Sequence, residues 1–224
     1  MFLRKRHVLL GDKYKQGVTR KACNRVGGIL NFKTMKKIIL IINILMTVLF
    51  YGQDINLTIK GAELGYPKAQ FNMGVAYERG EGVEQSYEQA AYWYKKAAEQ
   101  DYVSAQYNLG ILYYYGNGVK KSYTQAVYWW KKAAQQNDAS AQSVLGLAYY
   151  EGEGVEQSYK QAVYWWEKAA EQGIVEAQTN LGIAYINGDG VRRSVKKSIE
   201  LLRKACEEGS DRACEVLNEI KKRY

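Results

Sequence analysis

The sequence predicts an all-α fold, a right-handed α/α solenoid of 36-residue helix–loop–helix repeats. Three observations predict it. Ala69, Ala105, Ala141, Ala177 and Ala213 recur every 36 residues without a slip, and Gly74, Gly110, Gly146 and Gly182 do the same. The loop pairs Gly80/Gly82, Gly116/Gly118, Gly152/Gly154 and Gly188/Gly190 keep that register, each followed by Val83, Val119, Val155 or Val191. Trp93, Trp129 and Trp165 hold it too, with Leu201 in their place in the fourth unit. A fixed period of this length marks stacked supersecondary units that bury their apolar faces on one another.

Each unit reads as two helices. The first, over Pro67–Arg79 in unit one, carries Ala69, Met73, Ala76 and Tyr77 at helical spacing. The loop Gly80-Glu81-Gly82-Val83 follows, with glycines free to take positive φ. Ser86-Tyr87-Glu88-Gln89 then opens the second helix as a capping box. In that device the serine side chain accepts from the third backbone N–H and the glutamine reaches back. Ser122 with Gln125 and Ser158 with Gln161 repeat it, whereas Ser194 keeps the cap with Lys197, which cannot act as the reciprocal acceptor. The second helices end at Asp101, Asn137, Gly173 and Gly209, residue types that tolerate a left-handed position.

Gly74 and its equivalents lie inside the first helix, where glycine costs about 1 kcal/mol against alanine. That cost, accepted four times, predicts a helix–helix approach too close for a Cβ. The facing stripe is Tyr87, Ala90, Tyr94, Ala97 and Ala98, with Trp130 and Trp166 replacing Tyr94 in later units. We read it as inter-repeat core rather than a cofactor site. The expected units are 67–102, 103–138, 139–174 and 175–210, with a half-repeat over 53–66 and a capping helix over 211–224.

The net charge of +9 suggests an anionic partner until the charges are located. Residues 1–52 carry eleven Lys/Arg against one Asp, and residues 53–224 carry twenty-one against twenty-two Asp/Glu. The repeat body is near neutral, so nucleic acid is not an expected partner. Met35-Lys36-Lys37 precedes the apolar run Ile38–Phe50 and then Tyr51-Gly52-Gln53. A short basic segment and an apolar run of this length form a signal-peptide pattern over 35–52. The run is shorter than the about 20 residues a comfortable membrane span needs. Gly52 suits the position just before a cut, but Phe50 two residues earlier is bulkier than the usual small residue, so the alternative is an uncleaved anchor over 38–50. Residues 1–34 fit neither scheme; Met35 is the expected true start, and 1–34, with Cys23, an upstream extension of the reading frame.

The repeat resembles the Sel-like repeat (SLR) family, a relative of the tetratricopeptide repeat, on specific residues. Ala105, Leu109, Gly110, Tyr113, Gly116, Gly118, Val119, Ala126, Trp129, Lys132, Ala133 and Ala134 meet the family pattern nearly in full. The resemblance covers residues 60–224. It implies a scaffold that binds a protein or peptide partner, with first helices lining the concave side.

Cys206 and Cys214 occupy positions held elsewhere by alanine (98, 134, 170) and glutamine (70, 106, 142, 178). They flank a turn at Gly209, and their spacing is compatible with a disulfide or with two buried thiols. Lys204-Ala205-Cys206 with Ala213-Cys214 is similar to the bridged pairs of cysteine-rich secreted bacterial SLR proteins, which implies the disulfide and an exported location, periplasmic or secreted.

Catalytic candidates are few. His7 is the only histidine and lies upstream of Met35, so the mature repeats lack the imidazole of most Ser-His and Cys-His sites and the common zinc sites. No cofactor, metal site or catalytic residue is expected. Ser194-Val195-Lys196-Lys197 fits an S-x-x-K element, but no S-D-N or K-T-G accompanies it and Ser194 is already the helix cap. Cysteine-rich SLR proteins have been described as binding or slowly hydrolysing β-lactams, so the resemblance keeps weak β-lactam activity as an alternative. A purely structural envelope-assembly role is a third.

Two sets of side chains lie off the repeat signature. On the first helices, Phe71/Val75/Glu78, Tyr107/Ile111/Tyr114, Ser143/Leu147/Tyr150 and Thr179/Ile183/Ile186 form rows at i, i+4, i+7, readable as a partner groove or as inter-repeat packing. On the second helices, Tyr92, Tyr128 and Tyr164 lie on the polar face, as contacts or as ordinary amphipathic surface.

Overall fold

A computed structural model describes residues 55–223 together with Lys36, Lys37 and Ile39. Residues 1–34 with Cys23, the expected cleavage site and the rest of the expected signal segment lie outside the described residues. The repeat array belongs to a compact unit, Gln53–Tyr224. It is all-α, and no strand occurs among the described residues. Helix α1 covers 55–63. Four pairs follow: α2 (Pro67–Arg79) with α3 (Tyr87–Ala98), α4 (Val103–Tyr115) with α5 (Tyr123–Gln135), α6 (Ala139–Glu151) with α7 (Tyr159–Glu171), and α8 (Val175–Asn187) with α9 (Val195–Glu207). Helix α10 (Asp211–Arg223) closes the array. Each helix from α2 onward packs on the one before or after it, which makes an α-helical solenoid.

Local chemistry sets the helix ends. Pro67 stands in the first turn of α2, and Gly80, Gly116, Gly152 and Gly188 end the first helices in the left-handed region. Asp101 and Asn137 take positive φ, as do Gly173 and Gly209. Ser86, Ser122, Ser158 and Ser194 each accept from the N–H three residues on, at 3.2, 3.3, 3.3 and 3.4 Å.

The reciprocal half of the capping box is not formed. The N–H groups of Ser86, Ser122, Ser158 and Ser194 donate instead to the carbonyls of Tyr77, Tyr113, Tyr149 and Tyr185, each at 2.9 Å. That bond ties the start of every second helix to its own first helix and leaves the glutamine nothing to satisfy. Lys197 therefore loses nothing by its inability to accept.

Four apolar clusters run along the array, each built mainly from the second helix of one unit and the first helix of the next. Within a unit the helices meet at the interior glycines. A Cβ on Gly74 would lie 2.4 Å from the Tyr94 ring, and on Gly110 or Gly146 it would lie 2.4 or 2.5 Å from Trp130 or Trp166. In the fourth unit Leu202 fills that place, 2.7 Å from a Cβ on Gly182.

A buried glutamine ladder runs beside the clusters. Gln70, Gln106 and Gln142 donate to the carbonyls of Ala62, Ala98 and Ala134, eight residues back, at 3.3, 3.2 and 3.2 Å. Their oxygens accept from Gln100, Gln136 and Gln172 at 2.7, 2.9 and 2.8 Å. At the C-terminal end the same eight-residue link is covalent: Cys206 and Cys214 form a disulfide with Cα atoms 4.8 Å apart. It pins α10 to α9. Replacing both cysteines by alanine is expected to cost at most about 2–3 kcal/mol for so short a loop. Cys206→Ala/Cys214→Gln supplies the donor that Gln70, Gln106 and Gln142 use and that Gln178 does not, and should recover at most about 1 kcal/mol of that loss. Urea midpoints of the two variants check this; equal midpoints would separate the glutamine link from the bridge.

Candidate functional site

The first helices form a continuous face, in which α6 touches α8 and α8 touches α10. Their spacing puts residues four and three apart on one side. Adjoining depressions run along this face. One of about 120 Å3 lies among Ile111, Tyr114, Trp130, Val144, Leu147 and Glu153. One of about 530 Å3 lies among Tyr107, Ser143, Leu147, Asn180, Ser210 and Arg212. Leu147, Tyr150, Trp166, Ile183 and Arg212 line a third of about 110 Å3. Ile183, Ile186, Val216, Ile220 and Arg223 line one of about 550 Å3 at the C-terminal end. Leu147 borders three of the four and is 42% exposed.

The groove phenols are fixed by the next unit. Tyr114 donates to Glu153 at 2.9 Å and Tyr150 to Asp189 at 3.2 Å, each across 39 residues. Their rings lie 5.5 and 5.4 Å from Trp130 and Trp166. The bond to Glu153, with burial and the carboxylate's charge, pushes the Tyr114 hydroxyl up to about 12. Burial and then Asp189 raise Tyr150, and burial raises Tyr107. Tyr94 is raised by burial and by its hydrogen bond to Glu78.

A raised folded-state pKa means that the stability contribution is fully present below the ordinary tyrosine value of about 10 and is lost as pH rises through the folded value. Stability should therefore begin to fall above about pH 10, with Tyr114 contributing up to about pH 12. Tyr114→Phe is expected to shallow that alkaline decline, read from urea midpoints on either side of about pH 10. An unchanged slope would remove Tyr114 from it.

The expected site residues divide. Tyr107, Ile111, Tyr114, Leu147, Tyr150 and Ile183 come together in the depressions. Most are only half-buried, because their inner edges also pack on the clusters. Phe71 and Val75 pack against the first cluster, with Phe71 5.6 and 5.2 Å from the rings of Tyr94 and Tyr102, and neither lines these depressions. Tyr92, Tyr128 and Tyr164 stand on the second helices, about half exposed. Each meets the adjacent tryptophan edge to face at 5.0, 4.9 or 4.9 Å, with Lys96, Lys132 or Lys168 over its ring. Sequence reasoning missed Arg212, Asn180 and Val144. The 36-residue register places Arg212 in line with Ser140 and Glu176, which was the available signal.

The family comparison fits this geometry. The Sel1 repeat pattern matches residues 67–102, 103–138, 139–174 and 175–210. The chain belongs to the Sel1 repeat family. Among solved Sel1-type structures, c5321, a protective antigen of uropathogenic Escherichia coli with an SLR fold, is 40% identical with a TM-score of 0.73 over 76% of this chain. The chain spans only 36% of c5321. A Sel1 repeat protein of Oxalobacter formigenes is 35% identical with a TM-score of 0.72, over 78% of this chain and 72% of that one. Chitin synthase regulator SKT5 of Saccharomyces cerevisiae is 46% identical over 39 residues, 17% of this chain and 6% of SKT5.

Sel1 repeats in general build scaffolds that bind other proteins. In this one, Ser194 is used as the α9 cap. The Lys197 amine lies 3.4 Å from the Tyr185 hydroxyl and 5.0 Å over its ring. No His/Cys/Asp/Glu cluster suited to a metal ion occurs among the described residues, and no helix among them is long and apolar enough to cross a membrane.

Proposed function

We propose that this Sel1 repeat protein is an exported adaptor that holds a segment of a partner protein along the groove of its first helices, without chemistry of its own. Leu147 carries the reading: a large apolar side chain, 42% exposed, at the junction of three depressions. A concave apolar surface with a few fixed polar groups suits ligand or peptide docking. Tyr114 and Tyr150 supply rigid amphipathic anchors, held in place by Glu153 and Asp189. Export is supported by the Cys206–Cys214 disulfide, since such bonds persist in oxidising compartments. It is supported too by the basic-then-apolar segment Met35–Phe50. The protective-antigen character of c5321 agrees with a location reachable from outside the cell.

Affinity capture from the envelope fraction tests the proposal, with wild type beside Tyr114→Ala/Tyr150→Ala. Partners retained by wild type should be lost from the double variant. An unchanged set of partners would contradict the groove.

A further inference from the structure

We infer that the groove selects a partner segment bearing an internal acidic side chain between apolar ones, with Arg212 as the carboxylate receptor. The inference rests on the groove being the binding surface. Arg212 lines three of the four depressions. On one side lie Tyr107, Val144 and Leu147, and on the other Ile183, Val216 and Ile220. Its Nη1 donates to Asn180 Oδ1 at 3.1 Å, which orients the guanidinium without neutralising it. The ion pairs of the described residues are Arg79–Glu81, Lys95–Glu99 and Lys132–Asp101, so Arg212 has no carboxylate at that range among them.

The backbone beneath Arg212 is held on two sides. Ser210 accepts from Ala213 N–H at 3.2 Å and lies 3.1 Å from the Thr179 hydroxyl, and Cys214 is bridged to Cys206. A pre-oriented guanidinium grips a carboxylate through paired N–H groups, a geometry that lysine does not offer.

Placement decides the source of the carboxylate. Depressions of about 530 and about 550 Å3, each with apolar side chains in its lining, open on both sides of Arg212. A chain that ended there would leave one of them empty, so an internal Asp or Glu fits and a terminal carboxylate does not. Glu176 lines the first depression, and Glu219 lines the second beside Arg193 and Arg223. The first depression therefore disfavours a second acidic side chain, and the second does not.

The test pans a phage-displayed random-peptide library on the immobilised full chain. Fluorescence anisotropy then compares the enriched peptide with its isosteric amide counterpart. Wild type should enrich peptides with an acid flanked by apolar residues on both sides, and the amide should bind roughly tenfold more weakly. Arg212→Gln should abolish the difference between acid and amide, and Arg212→Glu should turn the preference to Lys or Arg. Arg212 is exposed on α10, so both variants should keep the fold, which circular dichroism checks; Arg212→Gln alone decides if the reversed charge disturbs it. Enrichment that is lost with Leu147→Asp but shows no acid preference overturns the role of Arg212 and leaves the groove standing, as does an acid preference that survives Arg212→Gln. Enrichment indifferent to Leu147→Asp, or none at all, overturns the groove and this inference together.

Discussion

Gly154→Ala is expected to destabilise the array by at least about 3 kcal/mol, against about 1 kcal/mol for Gly173→Ala. Both glycines take positive φ, at 72° and 86°, so a left-handed alanine costs the same in each. The difference lies in what surrounds them. A Cβ on Gly154 would lie 2.3 Å from the carbonyl carbon and oxygen of Tyr123 and 2.7 Å from Thr124 N, at the start of the preceding unit's second helix. Gly118 and Gly190 make the same approach to Tyr87 and Tyr159. These contacts set the spacing between units, and backbone, unlike a side-chain tip, cannot turn aside. A Cβ on Gly173 meets nothing within 4 Å. Urea denaturation followed by circular dichroism measures both; equal losses would mean that the loop glycines serve φ alone.

Trp130→Ala is expected to cost about 3–5 kcal/mol, the range for emptying a large aromatic site. Trp130 is 3% exposed, packs in the second cluster and donates its Nε1–H to the Tyr107 carbonyl at 3.3 Å. Its partner makes the prediction sharper. Gly110→Ala in the wild-type background forces a Cβ to 2.4 Å from Trp130 and should cost about 1–3 kcal/mol by overpacking. In the Trp130→Ala background the same methyl enters vacated space and removes an interior glycine, a gain of about 1 kcal/mol. The double-mutant cycle should therefore show favourable coupling of at least about 2 kcal/mol. Additive losses would show that the helices separate rather than interlock.

The interlock itself is legible because it repeats: glycine at 74, 110, 146 and 182 announces close approach, and the aromatic stripe supplies what approaches. The failures have physical causes. The capping box forms only by half, because Ser86 N–H goes to the Tyr77 carbonyl, a bond between helices that a local pattern does not contain. Gln106 and Gln142 carry no local sign of burial, yet they are buried and satisfied by partners from adjoining helices. The braces Tyr114–Glu153 and Tyr150–Asp189 join successive units, so no single repeat shows them. Arg212 sits where the repeat signature lapses into the cap. Leu147 is visible as a position, but only its exposure separates it from Phe71, which folds inward against Tyr94 and Tyr102.

The most direct test of the groove is site-specific photo-crosslinking in the envelope fraction from position 147 and, separately, from position 128. Leu147 and Tyr128 are similarly exposed, at 42% and 50%, but stand on a first and a second helix. The groove account predicts a discrete partner adduct from 147 and none from 128. An adduct from 128 alone would place the partner on the second helices and contradict it.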